Sequence, residues 1–239
     1  MTTEETGRER QLLQDLEEGW VDCHRCDLCK ERTNVVFGEG NPKADILVIG
    51  EGPGQEEDEL ARPFMGESGR ILDQLIEAVG WERADELYIT NVVCCRPTQE
   101  VKSDDGKLRI ENRPPSKSER EACRSRLLEI IYIVDPLLIL ALGKVPTQAL
   151  LGKIGTMESM HGKLYAATLP GRHLPLRYSV MPVYHPAFLL RSFDRREEGS
   201  WGLTAKDFAR ACQIVDHLRR AYNGIKINRK EIINGREPS

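Results

Sequence analysis

The fold is decided by residues 45–50, DILVIG, in which four large apolar side chains follow one another. Three more runs of strand length come after it, at residues 87–93 (LYITNVV), 137–143 (LLILALG) and 178–184 (YSVMPVY). The first three runs are apolar at nearly every position, which is typical of strands that are covered on both faces. Helical patterns separate the runs, so the chain is predicted to form a three-layer α/β/α sandwich around a central four-stranded parallel sheet.

Apolar residues recur at helical spacing in the segments between these runs. Ser116 is followed three residues later by Glu119, which is the spacing of a capping box and predicts a helix N-terminus there. The predicted helices cover residues 68–79, 116–134, 146–151 and 205–222.

The chain has 239 residues, of which 40% are hydrophobic, and this length suits a single domain with a buried core. Residues 1–10 are predicted to be a polar tail, residues 11–222 the domain, and residues 223–239 a C-terminal tail. The N-terminus is polar and acidic, and no apolar run approaches the roughly 18 residues of a membrane span, so we expect a cytoplasmic protein without a membrane partner. A net charge of -4 argues against a protein that coats nucleic acid but is compatible with a local basic groove.

In an open parallel sheet, ligands bind beyond the carboxyl ends of the strands, so the residues that follow each run are candidates for chemistry. The first run leads into residues 50–58, GEGPGQEED, whose glycines let a ligand approach the backbone closely. Pro53 lacks a backbone donor and the carboxylates would repel a pyrophosphate, so a dinucleotide-binding turn is disfavoured. An ordinary glycine turn with a solvated acidic face stays open.

Polar and aromatic side chains stand at or near the ends of the other runs. Asn91 carries the acceptor and donors needed to pair with the edge of a base, although capping of a turn is the alternative. His185 leaves the fourth run directly before Pro186, at the same edge of the predicted sheet, where a structural hydrogen bond competes with a functional role. Phe64 is either a core residue or a surface on which a planar ligand stacks.

Seven cysteines in a cytoplasmic chain favour a metal site or a reactive thiol over a set of disulfides. Four thiolates bind structural zinc or an iron–sulfur cluster, and buried thiols without a metal are the alternative. Cys212 falls on the apolar face of the last predicted helix and is expected to be a core residue. The other six form three groups, which are Cys23, Cys26 and Cys29, then Cys94 and Cys95, then Cys123.

In their order along the chain, these motifs resemble the family 4 uracil-DNA glycosylases, the iron–sulfur members of the uracil-DNA glycosylase superfamily. The resemblance extends from about Cys23 to Arg191. Each motif is weak alone, whereas their joint order is specific. The motifs are Cys23 with Cys26, residues 36–42 (VFGEGNP), 50–58 (GEGPGQEED), 62–66 (RPFMG), 89–97 (ITNVVCCRP), 142–143 (LG) and 185–186 (HP).

The resemblance implies a DNA repair glycosylase that hydrolyses the N-glycosidic bond of deoxyuridine in single- or double-stranded DNA, releases uracil and leaves an abasic site. It implies a monomer that acts in the cytoplasm of a prokaryote, at the nucleoid. It also implies a structural [4Fe-4S] cluster, with Cys29 and Cys94 as spare thiols. The implied cluster ligands are Cys23, Cys26, Cys95 and Cys123.

The resemblance further implies the residues of a uracil site. The implied catalytic residues are Glu51, Glu57 and His185. The implied uracil pocket consists of Glu51, Gly52, Pro53, Phe64, Asn91 and His185. The residues after the histidine are predicted to contact DNA, by wedging into the base stack or by binding phosphates, and they are Leu189, Leu190 and Arg191.

The chain departs from the family between Cys95 and Cys123, where the 27 intervening residues exceed the usual spacing. The excess, at about residues 98–111, is polar and turn-rich and is predicted to be an exposed insertion loop. A related branch carries in this region a histidine that captures the sugar covalently, and Glu111 stands nearest to that position here. Two alternatives to the glycosylase stay open: a variant that traps the abasic sugar through this loop, and a non-catalytic, metal-stabilised nucleotide-binding module.

Overall fold

The structure, a computed structural model, describes residues 3–103, 106–171, 174–191, 196 and 198–223. Within these residues, strands and helices alternate along the chain, as the sequence predicts. The strands are β1 (Glu39–Gly40), β2 (Ile46–Gly50), β3 (Leu87–Asn91), β4 (Thr98–Lys102), β5 (Leu108–Asn112), β6 (Leu138–Leu142), β7 (Tyr165–Leu169) and β8 (Leu176–Val183). The helices are α1 (Thr3–Glu18), α2 (Gln55–Leu60), α3 (Glu67–Ala78), α4 (Arg83–Glu86), α5 (Lys117–Val134), α6 (Lys144–Leu151), α7 (Met157–Met160), α8 (Pro186–Arg191) and α9 (Ser200–Asn223), with a short 3-10 helix at Asp27–Lys30.

Six of these strands form one sheet in the order β1-β3-β2-β6-β8-β7. The four central strands, β3, β2, β6 and β8, are parallel neighbours, which confirms the predicted four-stranded parallel centre. The sequence did not predict the two antiparallel edge strands, β1 and β7. The first is only two residues long and the second alternates between exposed and buried residues, so neither carries a continuous apolar run.

Helices cover both faces of the sheet. The core on one face is formed by apolar residues of α1, α5 and α6, and the core on the other by apolar residues of α3, α8 and α9. The capping box predicted for α5 is present, because Ser116 Oγ accepts from the Glu119 amide at 3.2 Å and the Glu119 carboxylate accepts from the Ser116 amide at 2.6 Å. None of the helices in the described ranges is both long and apolar enough to cross a membrane.

Two predictions of local structure are wrong. Residues 3–10 belong to α1 instead of a polar tail, because Glu9 is 5% exposed and its carboxylate lies 3.6 Å from Lys43 Nζ, so this end of the helix packs on the domain. The insertion at about residues 98–111 is a β-hairpin, β4–β5, instead of a loop. The predicted C-terminal tail lies outside the described residues from position 224 onward.

One arginine ties α5 to the end of a central strand. Arg126 is completely buried, and its guanidinium donates to the carbonyl oxygens of Phe37 (3.0 Å), Asn91 (2.5 Å) and Val92 (3.3 Å) and to Thr90 Oγ1 (3.0 Å). Buried backbone carbonyls need donors, and at the end of β3 a side chain supplies them where the ladder of the sheet runs out. The position of Asn91 therefore depends on a residue that lies 35 positions further along the chain.

Replacing Arg126 with leucine should leave several buried acceptors without a donor. Each such acceptor costs about 1–3 kcal/mol, so we expect the free energy of unfolding to fall by at least about 3 kcal/mol. Urea unfolding measures this change. Arg124→Leu, on an exposed position of the same helix, is the matched control and should change it by no more than about 0.5 kcal/mol. Equal effects of the two substitutions would contradict the role given to Arg126.

Candidate active site

A cleft of about 870 Å³ opens at the edge of the sheet where the carboxyl ends of the parallel strands meet. It contains every residue that the sequence predicts for the ligand pocket, together with Glu57, Leu190 and Arg191. Three further polar lining residues were not singled out from the sequence: one ends the hairpin strand β5, the next follows it, and the third lies in α3. They are Asn112, Arg113 and Arg70.

Asn91 is the last residue of β3 and lies beside Gly50, its register partner at the end of β2. Asn91 is only 2% exposed, and within the described residues its Oδ1 atom has no hydrogen-bond partner. A Cβ atom on residue 50 would lie 2.3 Å from this oxygen and 2.5 Å from the ring of Phe64, so this position requires glycine. A buried acceptor without a donor is costly, and a ligand that brings a donor to the cleft would satisfy it.

The ring of Phe64 is held beside Asn91 by an unusual backbone conformation. Phe64 has a φ of 53°, in the left-handed region, which costs a non-glycine residue on the order of 1–3 kcal/mol. Gly69 permits this conformation, because a Cβ atom there would lie 1.9 Å from the Phe64 carbonyl oxygen. The ring centroid lies 6.0 Å from that of His185, with 32° between the ring planes. The three predicted base-contacting side chains therefore meet in one place.

The contacts of Glu57 disagree with its predicted catalytic role. One carboxylate oxygen accepts from the amides of Met65 (2.8 Å) and Gly66 (2.9 Å), and the other accepts from the amide of Gly54 (3.0 Å). Glu57 thereby joins the glycine turn before α2 to the loop after Phe64. With both oxygens bound to backbone donors, its role is to fix the shape of the cleft.

Glu51 is the other predicted catalytic carboxylate. Within the described part of the chain it has no backbone donors like those of Glu57. Burial raises its pKa, and the nearby positive charge of Arg120 opposes this rise. Gly52 follows it with little room for a side chain, since a Cβ atom there would lie 2.8 Å from Val93 Cγ2. Glu51 is therefore a half-buried carboxylate at the cleft with its oxygens available to a ligand.

His185 is held in one tautomer. Its Nδ1 atom lies 3.1 Å from the amide nitrogen of Ala187, which donates to it, so the ring proton of the neutral imidazole is on Nε2. Burial of the ring, aided by the positive charge of Arg191, lowers the pKa of His185 to about 4. Gly143 lets the histidine pack closely, because a Cβ atom there would lie 3.1 Å from His185 Cβ. Near neutral pH, His185 is thus an uncharged hydrogen-bond donor.

Helix α8 follows this histidine. Some of its residues pack in the core and others line the cleft. Leu189 is 7% exposed and packs in the core with α3 and α9, so the predicted contact of Leu189 with DNA is wrong. Leu190 and Arg191 line the cleft, and their contact with DNA stays a prediction. Phe188 is the exposed apolar residue of this helix, and its ring stacks on Tyr184 at 5.1 Å.

The position of Glu111 bears on the trapping alternative. Glu111 and Asn112 are neighbours in β5, so their side chains point to opposite faces of the hairpin. Asn112 lines the cleft, whereas Glu111 is exposed and lies outside the set of lining residues. This placement gives no support to capture of a sugar by Glu111.

The cysteines of the N-terminal segment meet those of the later motifs. Cys94, Cys95 and Cys123 are buried, and the half-buried Cys23 and Cys26 pack against the same core. The sulfur of Cys94 lies 4.0 Å from that of Cys95 and 3.9 Å from that of Cys123. No three potential ligands among the described residues are arranged to hold a single metal ion.

The chemistry of these thiols fits a cluster with several irons, which spreads its ligands more widely than one ion does. The pKa of Cys95 is lowered by a hydrogen bond from Cys94 and by another from Arg32, whose Nη1 lies 3.4 Å from the Cys95 sulfur. A lowered pKa favours the thiolate, which is the form that binds iron. The same Arg32 atom donates to the Cys23 carbonyl at 2.6 Å and so links two of the predicted ligand segments.

Comparisons with known proteins identify the family of the chain. A family model described as the uracil DNA glycosylase superfamily matches residues 37–212. The chain is 38% identical over 179 residues to a type-4 uracil-DNA glycosylase of Sulfurisphaera tokodaii, covering 74% of this chain and 76% of that protein. It is 37% identical to the type-4 enzyme of Pyrobaculum aerophilum, covering 75% and 85%, and 34% identical to that of Archaeoglobus fulgidus, covering 78% and 87%.

We expect His185 to take up a proton only near pH 4, whereas the same residue in the unfolded chain takes it up near its ordinary pKa of 6.5. Because the unfolded state then binds more protons, the free energy of unfolding should fall by roughly 1–3 kcal/mol as the pH drops from 6.5 toward 4. Titration of the ring by NMR and unfolding at several pH values measure this. His185→Gln should lose this part of the pH dependence. A ring that is protonated near its ordinary pKa would refute the assignment.

Proposed function

Because the chain belongs to the uracil DNA glycosylase superfamily, we propose that it is a DNA repair glycosylase that hydrolyses the N-glycosidic bond of deoxyuridine, releasing uracil and leaving an abasic site. The observation that carries the proposal is the buried Oδ1 atom of Asn91, which has no hydrogen-bond partner among the residues that the structure describes and lies at the cleft beside Phe64 and His185.

Asn91 would read the edge of the base. Its Oδ1 accepts from N3–H of uracil and its amide group donates to O4. Cytosine presents the opposite pattern, with an acceptor at N3 and a donor at C4, so it would leave Asn91 unsatisfied in a buried site. A site that loses such buried hydrogen bonds rejects the wrong ligand strongly. The buried position of Asn91 is what makes this discrimination large.

Phe64 and the cleft would receive the base after it leaves the DNA stack. Extruding a nucleotide costs a few kcal/mol, which stacking on an aromatic side chain partly offsets. The strained backbone of Phe64 is fixed before binding by the close packing of Gly69, so the ring does not need to be ordered when the base arrives.

His185 would stabilise the charge that develops on the base. As the bond from N1 to C1′ breaks, its electron pair moves into the ring of uracil and onto O2. The Nε2–H group of the neutral imidazole donates to O2 without giving up its proton, since a ring whose pKa is about 4 is already uncharged near neutral pH. Donors placed in this way are worth roughly 3 kcal/mol each.

Glu51 would act on the sugar, which becomes cationic as the base leaves. A carboxylate in a half-buried cleft attracts this charge more strongly than one in water. Water then adds its oxygen to C1′, and its proton passes to the Glu51 carboxylate and from there to the uracil anion. The assignment is supported by the contacts of Glu57, whose oxygens are both bound to backbone amides.

We propose that Cys23, Cys26, Cys95 and Cys123 hold a [4Fe-4S] cluster, which when bound crosslinks the N-terminal segment to the strand end and to α5 and has no part in the reaction. The meeting of these thiols in one core and the hydrogen bonds from Arg32 support this set. The three relatives compared above are named type-4 uracil-DNA glycosylases.

The partner of the cleft is then uracil-containing DNA, in single- or double-stranded form. We propose that the chain acts as a monomer in the cytoplasm, at the nucleoid. All of the residues assigned to the base and the sugar are present on one chain, so the proposed reaction requires no residue of a second copy.

Replacing Asn91 with alanine tests the proposed function. Loss of both base hydrogen bonds should reduce kcat/KM for uracil release by roughly 100-fold or more, equivalent to roughly 3 kcal/mol. Release of free uracil from an oligonucleotide measures this, and thermal unfolding checks that the variant folds. Gln99→Ala, at an exposed amide of β4, is the control and should leave the rate unchanged. Absence of uracil release by the unmodified protein would refute the glycosylase, and a covalent DNA adduct would favour the trapping variant.

Substitution of the neighbouring thiols separately tests the cluster ligands. Cys95→Ser should lose the visible absorption and the bound iron and sulfide, because a ligand is missing. Cys94→Ser should keep all three, although it lies next to Cys95 and Cys123. Iron and sulfide analysis of the purified proteins gives the answer without any assay of activity. The reverse result would exchange the roles of Cys94 and Cys95.

A further inference from the structure

The hairpin β4–β5 is attached rigidly at the mouth of the cleft. At its base, the Thr98 hydroxyl donates to Glu31, and Arg113 Nε donates to the Thr98 carbonyl at 2.8 Å. The guanidinium of Arg113 also forms two hydrogen bonds to Glu119, at 2.9 and 2.6 Å. Arg96 Nε donates to Asn112 Oδ1 at 2.7 Å. The base of the hairpin is thus held by contacts from the N-terminal segment, from α5 and from the segment between β3 and β4.

One face of the hairpin continues from the cleft. Side chains alternate along a strand, so Asn112, Ile110 and Leu108 lie on the same face of β5. Asn112 lines the cleft, and its amide nitrogen would lie 3.4 Å from a Cβ atom on Gly54. Leu108 stands four residues further out, roughly 13 Å away, which corresponds to about four base steps of a DNA strand.

The outer part of this face carries two uncovered apolar side chains, Leu108 and Ile110, beside their cross-strand partners Lys102 and Glu100. Leu108 is 66% exposed and Ile110 is 56% exposed. A two-stranded hairpin gains little from its own contacts, so two large apolar side chains on it are costly unless a partner covers them. The charged residues of the described hairpin are nearly balanced, and they are Glu100, Lys102, Lys107, Arg109 and Glu111. Such a surface suits apolar contact with bases better than attraction of phosphates.

Resting on the proposed function, we propose that Leu108 and Ile110 form a DNA-contacting surface that packs against bases roughly two to four nucleotides from the extruded one. Bases of an unpaired strand expose apolar faces, and apolar side chains are suited to cover them. The occupant is the substrate strand itself, because this face of the hairpin is continuous with the cleft at Asn112.

The test compares two lengths of substrate with the double variant Leu108→Ser/Ile110→Ser in the full-length holoprotein. With about ten nucleotides on each side of the uracil, we expect KM to rise about 10-fold or more, since two large apolar side chains lose their contact with the strand. With a single nucleotide on each side, KM should stay unchanged because the hairpin contacts nothing. In both cases kcat should be unchanged.

Leu174→Ser is the matched control, because Leu174 is 68% exposed and lies just before β8, at the opposite edge of the sheet from the cleft. It should behave like the unmodified protein on both substrates. An unchanged KM on the long substrate, or an equal change on both lengths, would overturn the proposal for the hairpin while the glycosylase stands. If the unmodified protein released no uracil from either substrate, the proposed function would fail first.

Sedimentation of the unmodified protein and of the double variant tests whether a second copy of the chain covers the hairpin surface instead of DNA. If the surface were covered by a second copy of the chain, the unmodified protein would sediment as a dimer that the double variant loses, and the proposal would be overturned. A monomer in both cases, together with the length-dependent rise in KM, supports the DNA strand as the occupant.

Discussion

The guanidinium of Arg126 is the contact on which the geometry of the cleft depends. It is completely buried and supplies donors to three backbone carbonyls and a hydroxyl at the point where β3 leaves the sheet. Asn91 lies at that point, and its side chain can pair with a base edge only if its backbone has a fixed position. Because Cys123 precedes Arg126 by one helical turn, the helix that carries a thiol of the core also carries the group that fixes Asn91. The cysteine cluster and the cleft therefore both depend on helix α5.

The cleft combines a rigid backbone with side chains whose positions are fixed by the surrounding structure. Phe64 is held in a strained conformation, Glu57 uses both oxygens to brace the surrounding loops, and His185 has its proton fixed on Nε2. Each feature is set before a ligand arrives, so little reorganisation is needed during the reaction. The net charge of the chain gave poor guidance here, since buried carboxylates such as Glu57 contribute to it while serving to position backbone amides.

The sequence predicts most of the architecture and most of the pocket, for identifiable reasons. The four apolar runs mark the parallel strands because those strands are buried on both faces, and Ser116 with Glu119 marks α5 because the capping box is local. The errors arise where tertiary contacts decide. In the hairpin, the polar composition hides the alternation of side chains that is typical of a strand. The burial of Leu189 depends on which face of α8 packs against α3. Nothing in the local spacing marks Arg126, because its acceptors lie 34 to 89 positions away.

The unpaired oxygen of Asn91 has a consequence for turnover. Every contact assigned to Asn91, Phe64 and His185 is made to the base, and free uracil carries the same edges and the same ring faces after the bond to the sugar is gone. If Asn91 reads the base as proposed, we expect uracil to compete with DNA for the site, so that product inhibition follows from the recognition of a buried base edge. The enzyme without ligand bears the cost of the unpaired acceptor, about 1–3 kcal/mol, and a bound uracil relieves it. Discrimination against cytosine and retention of the product thus come from the same atom.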